Sequence, residues 1–153
     1  MFYIPQAIAV WIVSIWLIDW RRLRELLIYG LWGIAVSSVE GHLGYGLGLF
    51  QYQDTGWLSG HYDVSTLVIN LSAVPLFAIY FAQGLRPRAP VPWLRIAAFT
   101  AVSLVPEIVA LRLGHMVYGR RWNLLHSVIA YIPTWVSIWA LHRWLNNTRV
   151  SSQ

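Results

Sequence analysis

The sequence contains no cysteine and no lysine. The first absence excludes disulfide scaffolding, thiolate metal sites and cysteine nucleophiles. Charge of either sign is scarce: 11% of residues are charged, against about a quarter in ordinary soluble domains. A polar shell able to cover a water-facing core is therefore missing. There is also no basic segment ahead of the first apolar run. That run closes on Asp19-Trp20-Arg21-Arg22 rather than on a small-residue cleavage site. It reads as an uncleaved first span and not as a signal peptide.

What is present is apolar and aromatic: 58% of residues are hydrophobic and ten are Trp. The apolar residues gather into runs long enough to cross a hydrocarbon core about 30 Å thick. Five transmembrane helices are expected, at about Phe2–Leu17, Leu26–Leu49, Val64–Phe81, Pro92–Leu113 and Leu124–Trp144. The expected fold class is all-α, a polytopic membrane helix bundle. It forms one transmembrane domain over residues 1–145, followed by a polar cytoplasmic tail over 146–153. Pro75, Pro106 and Pro133 fall inside spans, where each removes a backbone donor and favours a bend.

All eleven basic residues are Arg, and they cluster in short segments between the apolar runs. That distribution belongs to membrane topology and not to a nucleic-acid surface, so no nucleic-acid partner is expected. Arg21, Arg22 and Arg24 flank the first connector, Arg86, Arg88 and Arg95 the third, and Arg143 and Arg149 the tail. Basic residues concentrate in cytoplasmic loops, which places the N-terminus outside and the C-terminus inside a bacterial plasma membrane. Trp20, Trp57, Trp93, Trp122 and Trp144 stand at span ends as interfacial anchors.

The second and fourth runs share a pattern. Glu40, Gly48, Tyr52, Trp57 and His61 reappear in order as Glu107, Gly114, Tyr118, Trp122 and His126, at offsets of 67, 66, 66, 65 and 65. A parallel repeat of helices 2–3 and 4–5 follows, related by a pseudo-two-fold axis along the membrane normal. Carboxylates at membrane depth are costly, so Glu40 and Glu107 are expected to face the bundle interior with partners. Arg112, His42, His61, His115 and His126 are the nearest candidates.

Glu40 and Glu107 are thus the candidate catalytic acids. Tyr52, Trp57, His61, Asp63, Arg112, Tyr118, Trp122 and His126 are the candidate ligand-binding residues around an aromatic cavity on the extracytoplasmic side. Three uses compete with a purely structural polar cluster. One is a metal site, although no close His-x-x-x-His or Glu-x-x-His spacing exists and no metal ligands or cofactor are assigned. Another is acid–base chemistry on an isoprenoid-like molecule. The last is transport or sensing. Gly44 and Gly48 make a small-xxx-small pair that suits a close helix contact or a homodimer seam.

The order Asp19-Trp20-Arg21-Arg22, Leu47-Gly48-Leu49-Phe50-Gln51-Tyr52, Pro106-Glu107 and Trp122-Asn123-Leu124-Leu125-His126-Ser127 resembles a family of small multi-pass membrane proteins of endospore-forming Gram-positive bacteria. Phe50 stands where that family commonly has Trp, and Glu40 where it commonly has Asp. The resemblance implies the topology and carries no activity. Glu40 with Gly48 to Tyr52 is also faintly similar to carotenoid (lycopene) cyclase membrane domains, but Pro106-Glu107-Ile108 lacks the second acid of their motif. The leading expectation is a binding, sensory or assembly component of the membrane. A lipid cyclase-like enzyme is the alternative, with a small transporter or metal-binding membrane protein behind it.

Overall fold

The computed structural model describes residues 3–53, 68–86 and 90–150. They form α1 (Tyr3–Leu17), a 3-10 turn (Trp20–Arg22), α2 (Leu23–Gly46), strand β1 (Phe50–Tyr52), α3 (Ala73–Gln83), α4 (Trp93–Arg112), strand β2 (Met116–Tyr118) and α5 (Leu124–Val150). The segments Trp20–Gly46, Trp93–Arg112 and Leu124–Asn147 are long and apolar enough to cross a membrane. Two shorter apolar helices, Ile4–Leu17 and Val68–Gln83, accompany them. The outside of the bundle is apolar: Leu94 is 87% exposed and Trp16 84%. Such side chains are at home against acyl chains and costly in water.

Helices α1, α3 and α5 end, and α2 and α4 begin, at one end of the bundle, where the connectors lie. At this connector end Asp19 caps the 3-10 turn by accepting from the Arg21 N–H at 3.1 Å. The Gln83 side chain clamps the same connector, accepting from the Asp19 N–H at 2.8 Å and donating to the Leu17 carbonyl at 3.2 Å. Arg95 reaches from α4 to the last turn of α3. It donates to the carbonyls of Phe81 at 2.9 Å and Tyr80 at 2.6 Å, groups that a helix end leaves without partners.

The core lies in this half. Phe81, Phe99 and Trp135 pack with ring centroids 5.1–5.3 Å apart, beside Leu26, Ile96 and Ile138. Helix α2 packs chiefly on α3, and Gly33 makes the approach close: a Cβ there would lie 2.8 Å from that of Ala78. Helix α4 packs on α5, and α5 on α2. Among the described residues α2 and α4 are not extensively packed on each other.

Several sequence expectations need correction. The second run does not stay helical to Leu49, because α2 stops at Gly46 and the chain turns into a strand, so the bundle is not purely all-α. The third run breaks at Ser72 (φ −117°, ψ −82°), whose hydroxyl bonds back to the Val68 carbonyl at 2.6 Å. The last helix runs on through the polar segment to Val150. There the Asn146 side chain donates back to the His142 carbonyl at 2.8 Å. Residues 64–67 of the third run, with Arg88 and Pro87 of the loop, lie outside the described residues.

Candidate functional site

At the other end of the bundle α2 and α4 terminate in the same way. Gly48 and Gly114 take φ 65° and 72°, the left-handed conformation that glycine adopts without strain. Around each glycine two backbone bonds close the last turn. The Gly48 N–H donates to Tyr45 and the Leu49 N–H to Gly44, as Gly114 does to Leu111 and His115 to Ala110. Each turn throws the chain into a short strand, and β1 pairs antiparallel with β2 in the register Phe50↔Tyr118, Gln51↔Val117, Tyr52↔Met116. The flanking bonds match as well: Gln53 N–H to the His115 carbonyl at 2.7 Å and Gly119 N–H to the Leu49 carbonyl at 2.8 Å. The two turns correspond at an offset of 66, and the strand pairing is centred on Gln51↔Val117, which differ by the same 66. Counted from the turns, Glu107 corresponds to Gly41 and not to Glu40, so the two acids stand one residue out of step in the two helices.

The miniature sheet roofs a cavity of about 380 Å³ that fills the gap between α2 and α4. Glu40, Gly41 and Gly44 of α2 form one wall, and Ser103, Pro106, Glu107 and Ala110 of α4 the other. Helix α3 contributes Ala73, Val74 and Phe77, α5 Ala130 and Tyr131, the roof Phe50, Tyr52 and Met116, and α1 Gln6. The surface is mostly apolar and aromatic, with polar groups at a few points, the usual constitution of a small-molecule site.

The two acids are held differently. Glu107, 9% exposed, sits in a cage of hydroxyls. Tyr118 and Ser127 donate to Oε1 at 2.6 and 2.5 Å, and Tyr131 donates to Oε2 at 3.0 Å. Ser127 in turn accepts from Trp122 Nε1 at 2.9 Å. The network ties α4, β2 and α5 together and satisfies its members, which makes it a rigid element. Burial first, and the Glu107 carboxylate second, push the Tyr118 phenol well above its ordinary range, so it remains an O–H donor. Glu40 has a single hydroxyl: the Thr134 O–H is shared between Oε1 at 2.8 Å and Oε2 at 2.9 Å. A carboxylate offers about four acceptor positions, so Glu40 keeps most of its capacity open. Among the described residues Gln6 Oε1 is buried without a hydrogen-bond partner.

The cavity thus brings together Glu40, Glu107, Tyr52 and Trp122, with Tyr118 one bond behind. Arg112 does not join them: it is exposed at the end of α4, and among the described residues neither acid takes an ion pair. His126 is exposed. It stacks on Trp122 at 5.3 Å and meets Asn123 Oδ1, which also caps the start of α5 by accepting from the Leu125 and His126 N–H groups. His42 is likewise exposed and bonds to the Ser38 carbonyl at 2.7 Å. Among the described residues both acids accept hydrogen bonds from hydroxyls, which can satisfy a carboxylate without burying a second charge. Trp57, His61 and Asp63 lie outside the described residues. Gly44 is covered by the Phe50 ring of its own chain and Gly48 belongs to the turn, so each glycine has a local use. Sequence reasoning missed Gln6, Tyr131 and Thr134. The signal available for two of them was the series Ser127, Tyr131, Thr134, spaced by four and three residues on one face of α5. Among the described residues no group of three or more His, Asp or Glu is placed to hold a metal ion. Compared with known protein families, with curated proteins and with solved structures, the chain finds no match.

Proposed function

We propose that this chain is a plasma-membrane binding protein that holds a small, largely apolar molecule between α2 and α4, with Glu40 as the polar contact. The observation that carries this reading is the pairing of a mostly apolar cavity with an acid whose acceptor capacity is largely open. A carboxylate placed inside a bundle with one hydroxyl donor is expensive to keep, and a guest that supplies further donors offsets that cost. The duplicated turns and the short strand pair support a parallel repeat, in which two helix ends are joined to roof one site.

The reading is tested by extracting purified protein and identifying bound small molecules by mass spectrometry, beside an Ala130→Phe variant that fills the space. A molecule present in stoichiometric amount in the wild type and depleted in the variant is the expected result. Identical extracts would remove the binding reading. Catalysis is the second reading, since Glu40 and Glu107 line the same cavity. The hydroxyl cage weakens it, because a carboxylate already accepting three donors is poorly placed to exchange a proton with a substrate.

A further inference from the structure

Resting on that binding reading, we infer that the preferred guest is a protonated amine on a compact apolar body, its ammonium directed at Glu40. The acid that the cavity leaves open is an acceptor: among the described residues Glu40 has one O–H between its two oxygens. No Arg or His stands among the described residues that line the space. An anionic head would meet the like charge of Glu40 with no compensating cation. A neutral alcohol brings one donor, whereas an ammonium brings three and no acceptor. The walls favour the same choice. Phe50, Tyr52, Trp122 and Tyr131 line the cavity, and aromatic faces attract cations as well as apolar surface. Thr134 supplies the one hydroxyl that competes with a guest for the carboxylate, from α5.

Two probes of one shape separate charge from apolar fit: 1-adamantanamine and 1-adamantanol, titrated at neutral pH into the full-length protein in zwitterionic nanodiscs, with empty nanodiscs as the partition control. The amine is expected to bind about tenfold or more tightly than the alcohol, the scale of one charge-assisted hydrogen bond. Glu40→Gln is expected to abolish that preference by weakening the amine far more than the alcohol. Thr134→Val, which keeps the side-chain shape and removes the competing donor, is expected to widen the preference. It provides the test if Glu40→Gln does not fold. Equal binding of the two probes would overturn the ammonium assignment and leave the binding reading standing. An amine preference that survives Glu40→Gln, or that Thr134→Val fails to widen, would overturn the role of Glu40. Binding of neither probe above the nanodisc control would overturn both the assignment and the binding reading beneath it.

Discussion

The two acids are alike in residue type and sequence context and different in use. Glu107 is a joint: three O–H donors from β2 and α5 converge on it. Glu107→Gln replaces one acceptor oxygen with an amide that cannot accept, stranding a buried hydroxyl. A loss of about 2 kcal/mol is expected, read as a lower unfolding midpoint in detergent. Glu40→Gln removes much less, less than about 1 kcal/mol, because one shared hydroxyl is all it holds. Equal losses would show that Glu40 too is structural. Tyr118 gives a second prediction. Its folded-state phenol value is raised, so the native state keeps a proton that the unfolded chain releases above about pH 10. The contribution is complete below that pH and declines as pH rises beyond it. With no lysine and no cysteine in the chain, tyrosines dominate the side-chain titration in that window. Tyr118→Phe should flatten the alkaline decline, measured as unfolding midpoint against pH.

At the scale of elements, the long helices were legible because apolar run length reports them directly. The starts of α4 and α5 fall within a residue of where the sequence placed them. Other features were not legible for physical reasons. A three-residue strand has no periodicity of its own, and the pairing of β1 with β2 depends on two helix ends, distant in sequence, meeting in space. The break at Ser72 rests on one hydroxyl back-bonding to Val68, a choice a serine makes in some helices and not in others. Of the site, the acids and Trp122 were visible because polar and aromatic residues stand out within apolar runs. Of their hydroxyl partners Tyr118 was singled out, while Ser127, Tyr131 and Thr134 were not, since serine, threonine and tyrosine are unremarkable there. Arg112, His42 and His126 were expected beside the acids because opposite charge is the simplest guess for a buried acid; each bonds elsewhere or stands exposed. The twin turns carry the element-scale prediction: Gly48→Ala and Gly114→Ala each place a Cβ at positive φ and should each cost about 1–2 kcal/mol. Similar losses at both sites are expected; a large loss at one and none at the other would show that the turns are not equivalent.

At the scale of the molecule, the connectors and the C-terminal end of α5 share one end, and the sheet lies at the other. If all five helices cross, cysteines introduced at Arg24, Arg86 and Arg143 react with a membrane-impermeant maleimide only from the cytoplasm, and one at His126 only from outside. The natural absence of cysteine makes each reporter unique. Labelling of His126→Cys and Arg86→Cys from the same side would rule out the five-span arrangement.

The roof over the cavity has a kinetic consequence. Two strands of three residues form a ladder too small to persist without neighbours, and parting them leaves every helix hydrogen-bonded. On the proposed binding function, the residence time of an occupant is coupled to a local opening that two amides report, those of Gln53 and Gly119, each bonded to the opposite arm. Their deuterium uptake should proceed at a common rate and slow together when the cavity is filled.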